Sequence, residues 1–465
     1  MKRCLALMLL AAAAIGSCTT SVGGAIAKEL SVYDRHPVQV TCLVVDLDTG
    51  ETLLRRDAER LCRPASTMKL LPTSAVCRRE PGGEFVTRLV ADRRPEGGVT
   101  LVGGGDPMLS AKDVAGLAAK LKEKGFARAT GTIGVFDALS DQPRFGAGWM
   151  WDDEPASFMP SLSWVPVNGG CVEVAVDVDG TVALLPVAGG MEVSIQGREG
   201  PVRITRGRYS NRNVVVVSGS TEKRTTRKIT VADPAHYAGH VLMDALRNAE
   251  MLEGSAAVES RFVPADVTAA DATAAELRRS VGDVVVYTNK KSDNLGAELL
   301  LRRGLTFLPP SRGIPPDDEV LPTRFEAGVQ CVAEDLAKLG FVRGKDYRIA
   351  DGSGVSHYNL LSAELLVSLL VDMDAVGGES QELFRRSLPI AGVDGTLASR
   401  MKATAAEGRV FAKTGTVSAV SNLAGYIDTK SGRRLAFAIM CQSFVGSAKP
   451  WRDLQDRICA SLAAQ

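Results

Sequence analysis

Histidine, aromatic residues and net charge are all scarce in this chain. Its 465 residues include four histidines (His36, His236, His240 and His357), and none stands in an H-E-x-x-H or Ser-His-Asp setting. A zinc-peptidase helix and a histidine-based serine triad are therefore excluded as readings. No Cys-x-x-Cys spacing is present, so neither a zinc ribbon nor a dithiol redox motif is expected. Formal net charge is +1, too little to recruit nucleic acid or an acidic membrane surface. Doublets such as Arg55-Arg56, Arg93-Arg94 and Lys290-Lys291 are scattered and read as solvated surface charge. No Gly-Lys-Ser/Thr follows a glycine-rich turn, which argues against a phosphate loop. With 45% hydrophobic and 23% charged residues, the chain fits a soluble globular protein of two or three domains.

The first long apolar run is at the N-terminus. Lys2 and Arg3 precede Leu5 to Ile15, and small and polar residues follow. This is the pattern of an export signal, too short and wrongly flanked for a membrane span. Two processing sites compete. Ala25-Ile26-Ala27 is an A-x-A site that would leave Lys28 first, and Ile15-Gly16-Ser17-Cys18 resembles a lipoprotein box that would leave a lipidated Cys18. In both cases residues 1–27 form the signal segment and the mature protein lies outside the cytoplasm. Beyond Cys4 and Cys18 remain Cys42, Cys62, Cys77, Cys171, Cys331, Cys441 and Cys459, an odd number. Cys62 and Cys77 suggest a bridge, but Cys77 should sit about three helical turns beyond Ser66, which exceeds the roughly 7 Å reach of a disulfide. Buried free thiols are expected.

Valine-rich Val38 to Asp46, the turn Asp48-Thr49-Gly50 and Glu51 to Arg55 read as a β-hairpin. A helix is expected over Ser66 to Val76, kinked at Pro72, and amphipathic helices over Ala111 to Lys124 and Pro234 to Ala249. Cys171 to Ser218 changes to short strand-like runs between Gly and Asn turns, a small β-rich module. Ser292 to Leu300 starts another helix. Arg409 to Lys413, Ala419 to Asp428 and Arg434 to Cys441 read as strands, and Trp451 to Leu462 as a closing helix.

Three short motifs carry chemistry: Ser66-Thr67-Met68-Lys69, Ser292-Asp293-Asn294 and Lys413-Thr414-Gly415. Each alone is weak, since K-T-G occurs in on the order of a tenth of random chains. Their force lies in fit. Ser66 and Lys69, three apart on a helix, share a face, so the amine can approach the hydroxyl. To act as a base that amine must be neutral, which burial and a neighbouring cation such as Lys413 would favour. Ser292 can relay a proton to a leaving amine, and Asn294 can hydrogen-bond a substrate amide. The plainer alternative makes Ser292 a helix cap. Lys413 can bind a terminal carboxylate. Gly415 lets its strand pass Ser66 without a Cβ. Amides of Ser66 and Thr416 would form an oxyanion hole.

These motifs resemble those of the penicillin-binding proteins and serine β-lactamases, S-x-x-K, S-x-N and K-T-G. The roughly 220 residues between the first two leave room for an inserted domain, and no E-x-x-L-N segment supplies a deacylating glutamate. The pattern is similar to the DacB-type D-alanyl-D-alanine carboxypeptidase/endopeptidases, the class C low-molecular-weight penicillin-binding proteins. Leu101 to Pro107 (L-V-G-G-G-D-P), Gly148 to Asp153 (G-W-M-W-D-D), Asp351-Gly352-Ser353-Gly354 and Gly392 to Leu397 (G-V-D-G-T-L) resemble further segments of that family. One departure is His357, where the family often has arginine.

The resemblance implies an α/β (α+β) transpeptidase-like fold with an antiparallel sheet flanked by helices, split over residues 28–90 and 265–465. An insertion fills 91–264, with the β-rich module near 171–220. It implies Ser66, Lys69, Ser292, Asn294 and Lys413 as catalytic groups and Thr414, Gly415 and Thr416 as substrate-binding ones. It also implies peptidoglycan stem peptides as substrate, β-lactam antibiotics as covalent inhibitors, a periplasmic location and no metal or organic cofactor. The alternatives are a serine β-lactamase and a non-catalytic wall-binding protein on the same scaffold.

Overall fold

Strand pairing between the two ends of the chain organises the first of two units. The computed structural model describes residues 22–92, 98–140, 142–186, 190–207, 213–252, 256–260, 272–304 and 324–465. These divide into one unit of residues up to Pro81, Val285–Asp293 and Leu300–Gln465, and a second of Gly82–Val284 and Asn294–Leu299. Most of the expected signal segment, residues 1–21, lies outside the described residues.

In the first unit the expected hairpin forms from strands Gln39–Asp46 and Thr52–Arg56. Gln39–Asp46 also pairs antiparallel with Arg434–Gln442, Gln39 facing Gln442. Val420–Asp428 and Val410–Val417 complete a five-stranded antiparallel sheet. Its inner strands are apolar on both faces because both faces are covered. Val40, Cys42 and Val44, alternating along their strand, pack with Ile26, Leu30, Leu454 and Ile458 from helices Val22–Leu30 and Lys449–Ala463. On the sheet, the Tyr426 hydroxyl donates to the Leu370 carbonyl of helix Ala363–Val376 (2.8 Å). Ser362 starts that helix by accepting from the Leu365 amide (3.1 Å).

The second unit has a five-stranded sheet in the order Val258–Glu259, Ile133–Phe136, Val99–Val102, Glu84–Asp92, Ala272–Ser280. Helices Ala111–Glu123 and Pro234–Asn248 pack on it. The first is opened by a capping box between Ser110 and Asp113, the second by Asp233 followed by Pro234. Strands between Cys171 and Thr230 form two three-stranded sheets that share the same apolar cluster. The β-rich character read from the sequence begins at Cys171 as expected and extends to Thr230, past Ser218.

The division falls at different places from those expected. Glu84–Asp92 pairs along its length with Ala272–Ser280, so both strands go with the insertion, and the chain crosses between units at Pro81/Gly82 and Val284/Val285. The expected edge at 264/265 lies outside the described residues. The helix after Ser66 also differs. Ala65–Lys69 is a 3-10 turn and the α-helix runs Leu70–Arg79. Pro72 stands in the first turn of that helix, where its missing N–H costs little. All seven cysteines among the described residues are free and buried. Burial pushes the Cys77 and Cys441 thiols up to about 12, which keeps them protonated and unreactive. No helix among the described residues is long and apolar enough to cross a membrane.

Candidate active site

The segment before Ser66 is pinned before the serine is reached. Asn422 Nδ2 donates to the carbonyls of Arg63 (2.9 Å) and Pro64 (2.8 Å), and Gln442 accepts the Arg63 amide (3.2 Å). Ala65 then takes φ 46°, a left-handed conformation that costs a residue with a Cβ on the order of 1–2 kcal/mol. The turn it makes carries Ser66 and Lys69 at i and i+3, which eclipse in a 3-10 turn. Lys69 Nζ stands 3.1 Å from Ser66 Oγ. Lys69 is fully buried and also donates to the Ser353 carbonyl at 2.5 Å.

That carbonyl belongs to Asp351-Gly352-Ser353-Gly354. Buried Asp351 accepts from the amides of Gly354 and Ser356 (both 2.7 Å), the Ser353 hydroxyl (3.1 Å) and Asn359 Nδ2 (2.6 Å), which fixes the loop. Gly354, at φ 85°, lies so close to the turn that carries Ser66 that an added Cβ would stand 1.8 Å from the Ala65 carbonyl oxygen. Beside the turn, Arg63 Nη1 lies 3.5 Å from His357 Nδ1, which puts the position that departs from the family pattern next to the segment leading to Ser66.

Ser292 follows helix Val281–Lys291 at φ 56°. It stands one residue too early to begin the next helix, Asn294–Arg302. Its hydroxyl accepts instead from Lys413 Nζ at 2.8 Å, which supports a functional role over a capping one. Lys413 is fully buried on Val410–Val417 and also donates to the Thr414 carbonyl (2.9 Å). Burial first, and the Lys69 ammonium second, hold the Lys413 ammonium well below the ordinary lysine range. A permanently charged Lys413 therefore does not fit its surroundings. Two amines share one buried site, and protonating one opposes protonating the other.

Gly415 behaves as its spacing suggested. A Cβ there would lie 2.6 Å from the Pro64 carbonyl oxygen and 3.2 Å from the Ser66 amide nitrogen. The next residue, Thr416, is exposed. Thr414 Oγ1 is 2.8 Å from Thr396 Oγ1. The structure thus gathers Ser66, Lys69, Ser292, Lys413, Thr414, Gly415 and Thr416 in the first unit. Asn294 belongs to the second, where its Nδ2 donates to the Phe158 carbonyl (2.7 Å).

Sequence reasoning missed the Ser353 carbonyl and the Asn422 and Gln442 side chains. A glycine three residues after an aspartate, in D-G-S-G, was the available signal for the first. Among the described residues no group of three or more His, Cys, Asp or Glu side chains is placed to hold a metal. The site's chemistry is that of a serine hydroxyl flanked by two amines, a second hydroxyl and close backbone amides, a set suited to acyl transfer.

Residues 28–464 match the D-Ala-D-Ala carboxypeptidase 3 (S13) family. A D-alanyl-D-alanine carboxypeptidase of Actinomadura sp. (strain R39) is 33% identical over 455 residues, covering 90% of this chain and 80% of that protein. The D-alanyl-D-alanine carboxypeptidase DacB of Haemophilus influenzae is 26% identical over 348 residues, 72% of this chain and 69% of the relative. The crystal structure of penicillin binding protein 4 (dacB) from Haemophilus influenzae superposes with a TM-score of 0.78 at 21% identity, covering 94% of this chain and 99% of that one. The same protein complexed with a β-lactam matches with a TM-score of 0.71 at 19% identity, over 93% and 98% of the two chains. The chain belongs to the D-Ala-D-Ala carboxypeptidase 3 (S13) family.

Proposed function

We propose that this chain is a penicillin-binding serine D-Ala-D-Ala carboxypeptidase that hydrolyses peptidoglycan stem peptides through an acyl-enzyme on Ser66. The observation that carries the assignment of roles is the pairing of Lys69 Nζ with Ser66 Oγ, next to a buried Lys413–Ser292 pair. A neutral Lys69 amine takes the Ser66 proton as Oγ attacks the carbonyl of the penultimate D-alanine. The amides of Ser66 and Thr416 receive the oxyanion. Ser292, bonded to Lys413, returns a proton to the departing D-alanine amine, and the peptide bond breaks to leave an ester on Ser66. Water then cleaves the ester, which regenerates the hydroxyl and releases the shortened peptide. Thr414, Gly415 and Thr416 line the strand edge along which the substrate lies. A β-lactam enters the same first step and stays as the acyl group.

The protein acts outside the cytoplasm, in the periplasm, in this reading. Ile26 and Leu30 are buried in the first unit's core. Processing before Cys18 keeps both, whereas cleavage before Lys28 removes Ile26, so the packing favours a lipid-bearing Cys18 as the mature terminus. Mass spectrometry of the mature N-terminus tests this, and finding Lys28 there would overturn it.

The test of function is fluorescent-penicillin labelling alongside release of D-alanine from a stem pentapeptide. The expected result is stoichiometric labelling and D-alanine release, both lost in Ser66→Ala. Labelling that persists in that variant removes Ser66 from the role of nucleophile.

A further inference from the structure

Outside the three motifs, one side chain meets the K-T-G strand in a way the proposed chemistry does not use. The Lys290 ammonium is bound by both carboxylate oxygens of Asp394 (2.7 and 2.8 Å) and by the Leu388 carbonyl (2.6 Å). Asp394 also accepts the Ile390 amide (2.8 Å). Backbone bonds from the Ala391 amide to the Val410 carbonyl and from the Ala412 amide to the Pro389 carbonyl, both 2.9 Å, stitch this loop to Val410–Val417. The loop is thereby held by the segment that ends in Ser292 and by the strand that carries Lys413. It brings Thr396, exposed, to 2.8 Å from the Thr414 hydroxyl.

Each of these hydroxyls has one proton, and only one of the two can lie between the oxygens. If Thr414 donates to Thr396, Thr414 offers a ligand only lone pairs, which repel an anion. If Thr396 donates to Thr414, the Thr414 proton is free to turn outward, and accepting one hydrogen bond strengthens it as a donor. An arriving carboxylate selects the second arrangement without any loss of a hydrogen bond, because the Thr396–Thr414 contact survives in both. An isolated Thr414 keeps a proton to turn outward but loses the accepted bond that orients it and strengthens it as a donor.

We propose that Thr396 is a positioning residue for substrate recognition. Acting through the Thr414 hydroxyl, it makes the site selective for peptides ending in a free carboxylate over those whose terminus is neutral. The inference rests on the acyl-transfer reading above and deepens it by naming what the strand edge selects.

The test compares acylation by benzylpenicillin and by its methyl ester, together with kcat and KM for a stem peptide and its C-terminal amide. The variants are Thr396→Val, which keeps the shape, and Thr396→Ser, which keeps the hydroxyl. In Thr396→Val, the preference for acid over ester, and for acid over amide, is expected to fall about three- to tenfold. The loss should appear in KM with kcat little changed, while the total amount of penicillin bound at saturation stays stoichiometric. Thr396→Ser should restore most of the preference. An unchanged preference in Thr396→Val, or an equal loss for charged and neutral ligands, overturns the proposal. Penicillin labelling without D-alanine release in the unaltered protein would overturn the peptidase reading, and the acid-to-ester ratio would still decide the role of Thr396.

Discussion

The two units bury polar groups for different ends. In the second, Asp137 accepts from the amides of Leu139 (2.9 Å) and Trp164 (2.7 Å), and Asp106 accepts from the Met108 amide (2.8 Å) and Arg279 Nε (2.6 Å). Such bonds close turns and cancel charge, and they make a shape. Asp351 does the same in the first unit. Lys69 and Lys413 do not fit that pattern. They are two amines that would carry like charges, both fully buried, and their Nζ atoms are bonded to the hydroxyls of Ser66 and Ser292. Burying like charges together is unfavourable for stability and useful for reactivity, since it moves a proton's affinity toward working pH. A buried polar group that completes a turn is thus a structural part. One that sits against its own kind is a chemical one.

The sharpest way to break this contrast is to fix a charge in the first unit. Lys69→Arg places a guanidinium that stays protonated beside Ser66, and acylation by penicillin is expected to fall by a thousandfold or more, on the order of losing a catalytic base outright. Lys413→Arg should keep a larger part of the activity than Lys69→Arg. Stopped-flow acylation rates decide this, and full activity in Lys69→Arg would refute the assignment of the base.

Acidification should act in the same direction. The Lys413 ammonium is held below the lysine range and the two amines oppose each other's protonation, so the neutral amine the reaction needs is lost only where pH falls through the second protonation of the pair. Acylation should therefore lose about a factor of ten per pH unit on the acid limb. A rate independent of pH from 5 to 9 would show that no amine near Ser66 titrates in that range.

A removal in the second unit should do the reverse. Asp137→Ala leaves the Leu139 and Trp164 amides without their acceptor and is expected to cost about 2–4 kcal/mol of stability. The acylation rate of the protein that remains folded should be unchanged. Thermal unfolding read beside active-site titration checks both halves, and a tenfold slower acylation would show that the units are not separable in this way.

The smallest effect concerns His236 and His240, whose Nε2 atoms stand 3.0 Å apart on helix Pro234–Asn248. Burial first, then His236, hold His240 below the ordinary imidazole value. The folded pKa is depressed, so the unfolded chain binds the proton more readily. The stability that follows from His240 is present above about pH 6.5 and is lost as pH falls from there through the folded value. His240→Gln should flatten the fall in Tm between pH 7.5 and 5, by a few degrees at most. An unaltered slope would remove the pair as its cause.

Much of this was legible in the sequence because it is local. The Val38–Asp46 hairpin, the helix at Pro234 and the strand before Lys413 follow from alternation, capping residues and turn glycines within a few positions. Ser66, Lys69 and Gly415 could be singled out because the roles read for them need fixed spacing. The left-handed Ala65, the Ser353 carbonyl and the clasp of Asn422 and Gln442 on Arg63 were not legible. They depend on backbone angles and on partners hundreds of residues away, and no local pattern encodes those. The insertion's edges were misplaced for a related reason. Ala272–Ser280 is a charged, alanine-rich strand whose partnership with Glu84–Asp92 decides which unit it joins.

The pairing of Gln39 with Gln442 also sets a clock. The sheet that holds Ser66 against Gly415 closes between residues roughly four hundred apart in sequence, so contact order places its completion at the end of chain emergence. A nascent chain already contains Ser66 and Lys69, yet it lacks the strand that brings Lys413 and Gly415 to them. The site is therefore incomplete until the last strands have been made, and a chain cut short before Lys413 lacks half of its buried amine pair.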